Sequence, residues 1–357
     1  MEGERKKSAG DDCRQGDNIL FNAPLDIDWA QPAPDGFPRL CHVFHQEWFG
    51  IRTAAGYLPG EKIGIPFHGN INTDKLRSIV EFVKKNNCEH ILLHSDSSNM
   101  AAVARMLRGS FSRAVKIYSI WHGNTAQFHL EGERTAIRRF CDLKRDGVLD
   151  HICFVKPGMG ALSEDFFGEA LLNVPPYVDA AVQRSLESPT GKVLIPVPLY
   201  WGKNFYTNYF AACAFEGVAE IHVVAQGIER FEEFERGRRV VEHGHLDRAS
   251  LFALVAGVDL ALNMTLCECQ PMAALESLAF DVPCLTGPLD NGALDLHPLQ
   301  ELVQMHAPDS IGAQRQAIER VLRFRREEPE SLAEMMADYR AVLTREAFAR
   351  YLRLFDA

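Results

Sequence analysis

Apolar and polar positions fall into two alternating series along the chain. In the first, Arg39 to His45 reads as a strand and Lys62 to Pro66 is a second apolar segment, closed by Phe67-His68-Gly69. Thr73 or Asp74 can cap a helix over Lys75 to Lys85, where Leu76, Ile79, Val80 and Val83 recur at helical spacing. His90 to His94 is a strand, Ser97 to Arg108 a helix, and Ala114 to Ile120 a strand that runs into Trp121-His122-Gly123-Asn124. Glu131 to Lys144 predicts a helix and Ile152 to Val155 a short strand. The run Leu172 to Asp179, with Pro175 and Pro176, and the polar stretch Gln183 to Gly191 predict a domain junction. A second series follows. It has strands at Val193 to Val197, Glu220 to Ala225 and Val240 to Glu242, and helices from Lys203-Asn204 through Phe215, over Phe231 to Arg238 and over Ala249 to Val255. Pro298 to Ala357 is almost wholly helical by pattern. Such alternation predicts two α/β domains with parallel sheets and a helical end, with ligands between them at the carboxyl ends of the strands.

One stretch of the second series carries the densest chemistry. Val258 to Asn263 is a continuous apolar strand of the kind buried on both faces of a parallel sheet. A loop, Met264 to Gln270, leads to a short helix, Pro271 to Phe280, and a strand, Val282 to Gly287. Pro271 suits a first helical position, and the small residues Ala273 and Ala274 leave the backbone donors of that helix start open to an anion. Glu268 stands before this site and Glu276 inside the helix, so two carboxylates flank a phosphate-sized position. The competing reading is an ordinary βαβ unit in which Glu276 is a solvated helix residue.

Composition narrows the options. The chain has 357 residues, 46% apolar and 24% charged, which is ordinary for a globular protein of two domains. A net charge of −10 argues against nucleic acid as a partner. No apolar run reaches transmembrane length, and Met1 to Asp17 is polar and reads as a disordered tail without a signal peptide. The nine cysteines are scattered, several in apolar runs, which fits a reducing cytoplasm. Cys267 and Cys269 have no second ligand pair nearby, so no metal site is expected there. Asp26-Ile27-Asp28 has the form of a metal-binding triplet but sits in a proline-rich lead-in and reads as surface.

At this point the second half resembles the donor domain of retaining glycosyltransferases of family 4, which have the GT-B fold. Glu268-x7-Glu276, followed by Ser277-Leu278-Ala279-Phe280-Asp281-Val282-Pro283, matches that family's pattern of two acids, small apolar residues, a turn and Val-Pro. Val174-Pro-Pro-Tyr-Val178-Asp179 is similar to its interdomain turn, Leu199-Tyr-Trp-Gly-Lys203-Asn204 to its lysine segment, and Ile221 to Gly227 to the strand and turn that follow. The landmarks fall in the family's order over roughly residues 172 to 290, about a third of the chain. The sequence also departs from the pattern. The family's Gly-Arg pair, whose Arg contacts the donor diphosphate, is Val197-Pro198 here, and the glycines after the first acid are Cys269 and Pro271. The first half lacks the family's Gly-rich loop.

The resemblance implies an α/β GT-B chain with two Rossmann-like domains facing across a cleft. Residues 1–17 would be a tail, 18–180 the acceptor-side domain, 181–335 the donor-binding domain, and 336–357 a helix packing back on the first domain. It implies transfer of a sugar from a nucleotide-diphosphate donor to a hydroxyl acceptor, with retention and with no metal or cofactor. Glu268 would face the donor sugar and Glu276 the ribose, since carboxylates accept paired O–H bonds. Lys203 would neutralise the diphosphate, with Asn204, Gln270 and the backbone of Met272 and Ala273 completing the donor site. His122, at the end of a first-domain strand, would lie near the sugar; a structural histidine is the equal alternative. His45, His68 and His94 also end or follow strands and are not ranked. The acceptor stays open among a glycan, a lipid-linked and a small-molecule substrate. The implied location is the cytoplasm, and Arg340, Arg345, Arg350 and Arg353 leave open a contact with the inner face of a membrane, against the commoner reading of salt-laced helix faces. Two other classes remain: a nucleotide-sugar epimerase on the same scaffold, and a non-catalytic nucleotide-sugar-binding protein. A phosphorylase needs a cofactor lysine and a much longer chain.

Overall fold

The computed structural model describes residues 19–20, 29–163, 166–178 and 189–356. The Asp26-Ile27-Asp28 triplet, the N-terminal tail and most of the polar junction lie outside these residues. Among the described residues, twelve strands form two sheets. The first contains β1 (Ile19–Leu20), β2 (Leu40–His45), β3 (Glu61–Ile65), β4 (His90–His94), β5 (Lys116–Trp121), β6 (His151–Phe154) and β7 (Phe167–Ala170), in the order β1-β3-β2-β4-β5-β6-β7. The second contains β8 (Lys192–Ile195), β9 (Glu220–Val223), β10 (Arg239–Glu242), β11 (Leu260–Asn263) and β12 (Cys284–Thr286), in the order β10-β9-β8-β11-β12. All pairings are parallel.

The helices of the first domain are α1 (Phe49–Tyr57), α2 (Thr73–Lys85), α3 (Ser98–Phe111) and α4 (Glu131–Arg145). Those that follow are α5 (Phe205–Ala214), α6 (Glu232–Glu235), α7 (Arg248–Ala256), α8 (Met272–Ala279), α9 (Pro298–Val303), α10 (Ile311–Glu327) and α11 (Pro329–Asp356). The chain switches from one side of the sheet to the other beside β2 in the first sheet and beside β8 in the second. Those switch points are where open parallel sheets leave a crevice at their carboxyl ends.

The central strands form because continuous apolar runs can be buried on both faces. Every residue of β2 and of β11 is buried. Two expected elements differ, and two others were not expected. Phe231 to Arg238 yields only the single turn of α6, because Arg236 turns left-handed at φ 53° and ends it. Pro271 is the residue before α8 rather than its first helical one, with ψ 127°, so Met272 opens the helix. α1 and β7 lack the periodicity by which the other elements are recognised: α1 contains Gly50 and Gly56 and has no side-chain cap, and β7 is Phe-Gly-Glu-Ala.

α11 is continuous through position 336 and spans both domains. Arg340 donates to the Leu278 carbonyl (2.8 Å) and pairs with Asp281 (2.9 Å) in the second domain. Arg350 donates to the Ala170 carbonyl of β7 (2.9 Å), and Phe355 packs on His90 with ring centres 4.2 Å apart. Arg353 pairs with Glu346 on its own helix. Three of the four arginines that left a membrane contact open are therefore engaged within the molecule. Among the described residues no helix is long and apolar enough to cross a membrane.

Candidate active site

The carboxyl ends of the two sheets face one another across a cleft of about 1080 Å³. Its walls come from the segment after β2 (Trp48 to Ala54), His122 after β5, Pro196 to Pro198 after β8, Val224 to Gln226 after β9, and the 268–273 loop and helix start after β11. Of the residues expected in a donor site, His122, Lys203, Glu268, Gln270, Met272, Ala273 and Glu276 all line this one cleft.

Lys203 and Glu268, 65 residues apart in the chain, meet in a salt bridge. Two loops bring them there. Lys203 closes a short 3-10 turn after β8, and the Leu266 N–H donates to the Gly202 carbonyl (3.0 Å), tying that turn to the loop after β11. Asn208 of α5, fully buried, locks the second loop by donating to the Met264 carbonyl (3.2 Å) and accepting from the Met264 N–H (3.1 Å). Asn204 does similar work rather than lining the cleft. Its amide donates to the Met264 carbonyl (3.0 Å) and to that of Pro308, and its carbonyl accepts from Thr207 (2.6 Å). The side chain expected beside the donor is thus spent on holding the lysine turn, in a left-handed conformation at φ 57° that asparagine tolerates.

The start of α8 follows directly. The N–H groups of Met272 and Ala273 lie in the first turn, where the helix offers no carbonyl partner, and they carry its positive dipole end. Gln270 accepts from the Asn173 N–H (2.6 Å), a first-domain backbone group, while its own Nε2 is buried without a partner.

Glu276 is engaged across the domain interface. It accepts from the Tyr57 hydroxyl of α1 (2.8 Å) and pairs with Arg248, whose guanidinium also reaches the Thr53 hydroxyl of α1. Burial pushes the Glu276 carboxyl above the usual carboxylate range, and Arg248 and the Tyr57 hydroxyl pull it partly back. Further links surround the site. Lys156 donates to the carbonyls of Glu268 (3.1 Å) and Leu289 (2.7 Å), and the Cys269 thiol meets the Gly123 carbonyl (3.0 Å).

Arg248 and Arg52 are cleft cations that sequence reasoning missed. Arg248 opens α7 just after its cap, Asp247, where the helix dipole disfavours a cation. A cation placed against the dipole at a helix start was the available signal.

The histidines separate clearly. His122 hydrogen-bonds through Nε2 to His94 (3.0 Å), and burial holds its ring down to about 4, so it is neutral at neutral pH. His45 is buried between the rings of Trp48 and Phe67, with both nitrogens unpartnered. His68 is exposed.

Neither the family models nor the curated proteins compared with the chain match it. Solved structures do. Sucrose-phosphate synthase from Thermosynechococcus elongatus aligns over 83% of this chain and 83% of its own, with a TM-score of 0.55 at 14% identity. A trehalose-6-phosphate structure from E. coli, bound with UDP-2-fluoro glucose, aligns over 89% of this chain and 98% of its own, with a TM-score of 0.53 at 11% identity. A trehalose-6-phosphate synthase, from work on enzymatic glycosyl transfer with retention, aligns over 89% and 99%, with a TM-score of 0.55 at 12% identity. With two parallel-sheet domains facing across a cleft and a helical C-terminus, this chain has the GT-B fold.

Proposed function

We propose that this chain is a glycosyltransferase that moves a sugar from a nucleotide-diphosphate donor to a hydroxyl acceptor, with retention of configuration. The observation that carries the reading is the meeting of Glu268 and Lys203 at the open start of α8, on a fold shared with a protein that binds UDP-2-fluoro glucose. An anion-binding helix start, a flexible cation and an acid beside it suit a diphosphate and the sugar attached to it. Glu268 takes donor-sugar hydroxyls, Lys203 the diphosphate and Glu276 the ribose. Both acids are paired to a cation in this structure, Glu268 to Lys203 and Glu276 to Arg248. A nucleotide sugar brings hydroxyls for the acids and phosphates for the cations, so binding exchanges both pairs at once. In this scheme Arg248 supplies the charge that Pro198 lacks.

The chemistry needs charge stabilisation more than proton transfer by the protein. As the glycosidic bond breaks, negative charge grows on the leaving diphosphate, where Lys203 and the Met272 and Ala273 N–H groups act. The departing phosphate oxygen takes the proton of the acceptor hydroxyl on the same face, which gives retention. His122, neutral at neutral pH, serves as a hydrogen-bonding group rather than a cation.

A thermal-shift panel of nucleoside diphosphates and nucleotide sugars, beginning with UDP compounds, tests the reading, because a ligand of the folded state raises its melting point. Lys203→Ala is expected to weaken nucleoside-diphosphate binding about 10-fold or more, as for loss of a charge-assisted hydrogen bond. Calorimetry on wild type and variant checks this, and equal affinities would remove Lys203 from the site. Conversion of the donor sugar without any acceptor would instead point to an epimerase.

A further inference from the structure

His122 ends a row of three imidazoles, and the proposed reaction does not directly use the two behind it. His42 of β2 and His94 of β4 are both fully buried. His42 Nε2 contacts the Pro59 carbonyl (2.9 Å), His42 Nδ1 contacts His94 Nε2 (2.9 Å), and His94 Nδ1 contacts His122 Nε2 (3.0 Å). The His94 and His122 rings stack, with centres 5.2 Å apart and planes 22° from parallel. The row starts at a backbone carbonyl in the core and ends at a residue of the cleft wall.

From this geometry we infer that His42 and His94 are positioning residues that fix His122 as its Nε2–H tautomer and present Nδ1 to the cleft as a hydrogen-bond acceptor. A carbonyl only accepts, so His42 Nε2 must carry the proton of that ring. A neutral His42 then has a lone pair on Nδ1, and His94 Nε2 must donate to it. His94 in turn has its lone pair on Nδ1, which only a donor can face, so His122 Nε2 carries a proton. Three neutral rings have three N–H protons, and the row has three hydrogen bonds, so every proton is placed. The opposite tautomer of His122 would set two lone pairs against each other at His94.

Neutrality of the row has a physical basis. Burial lowers the basicity of all three rings, and Lys62, itself buried on β3 with its pKa lowered by that burial to about 7, opposes a proton on His42 and His94 in its charged form. Lys62 is held by the Leu58 and Gly60 carbonyls, either side of Pro59. The far end of the row is a carbonyl, which cannot take up a proton, so the row orients His122 and does not conduct.

An acceptor-only nitrogen discriminates between ligands. It takes an O–H from the molecule in the cleft and repels a lone pair presented in the same place. On the glycosyltransferase reading, that partner is a hydroxyl of the bound sugar or acceptor; the tautomer itself is independent of that reading.

The test is a long-range 1H–15N correlation spectrum of the histidine-labelled, ligand-free protein at neutral pH, assigned against His122→Asn. The expected result is a protonated Nε2 and an unprotonated Nδ1 at His122. A proton on Nδ1 would overturn the proposal. His94→Leu removes the acceptor of the row, whereas His94→Asn keeps one near the former Nδ1. The leucine variant is expected to show mixed His122 tautomers and a fivefold to tenfold loss in kcat/KM, roughly the loss of one hydrogen bond. The asparagine variant should restore both the spectrum and the rate. Loss of rate in both variants with the His122 spectrum unchanged would assign His94 to packing alone and sink the positioning role. If wild type transfers no sugar, the functional reading fails, and the ligand-free spectrum still decides the tautomer.

Discussion

Glu268→Gln is expected to lower sugar transfer by about 100-fold or more while leaving nucleoside-diphosphate binding within a few-fold of wild type. The magnitude is that of removing one preorganised charge or donor aimed at a developing transition state. The substitution keeps the shape of the side chain, removes its charge and turns one acceptor oxygen into an N–H donor, so the loss reports on the charge together with one accepted hydrogen bond. Glu268 precedes α8, whose dipole and free N–H groups would serve the phosphate in the proposed site, so phosphate binding is expected to survive. Stability should change little. The Lys203–Glu268 pair is partly open to solvent, at 32% and 15% exposure, and such pairs contribute roughly 0–1 kcal/mol. Initial rates under saturating donor and a binding isotherm with nucleoside diphosphate, measured on the same preparation, separate the two effects. A variant with rates near wild type would show that Glu268 is only the resting partner of Lys203.

That the sequence points to Glu268, which the structure places in the cleft, has a clear origin. It lies between a fully buried apolar strand and a helix that follows Pro271 and begins at Met272-Ala273-Ala274, so local chemistry fixes its surroundings within a few positions. The two parallel sheets were legible for the same reason, since runs such as Leu40–His45 and Leu260–Asn263 are buried on both faces. What was hidden depends on contacts far apart in the chain. Asn204 stands beside Lys203 and looks like a ligand, yet Met264 and Pro308, 60 and 104 residues away, occupy its amide. Tyr57 and Thr53 lie on α1, whose glycines mask its periodicity, and their roles appear only once α8 and α7 pack against it. The imidazole row is a property of parallel pairing. His42 stands opposite Leu92 and His94 opposite Phe44, so the two rings meet on the diagonal between neighbouring strands, and no spacing along the chain shows that register.

Arg248→Met is expected to destabilise the protein by about 3–5 kcal/mol at neutral pH, the cost of leaving one partner of a buried ion pair uncompensated. The Glu276 side chain is 6% exposed and that of Arg248 14%, so little solvent is available to replace the lost charge. The guanidinium also bridges to Thr53 and lies over the rings of Tyr57 and Phe252, which makes it a link between the domains. The pH dependence follows from the sign of the shift at Glu276. Burial raises its folded-state pKa above the unfolded value, so the folded protein holds that proton to higher pH. A group of this kind favours the folded state fully below its unfolded pKa, and the advantage is lost as pH rises through the folded value. Without Arg248 the folded value rises further. The deficit of the variant is therefore largest near pH 7.5 and shrinks towards pH 5, where protonation removes the unpaired charge. Glu276→Gln placed on the Arg248→Met background should recover most of the loss, because removing both charges is far less costly than stranding one. Urea unfolding of wild type, single and double variants at the two pH values measures each quantity. A single-variant loss under about 1 kcal/mol, or a deficit that grows on acidification, would mean that Arg248 does not hold the Glu276 charge. The result bears on function as well. A nucleotide whose ribose is to reach Glu276 must displace this same link, so a strong Arg248–Glu276 pair makes donor binding and a change in the domain interface a single event.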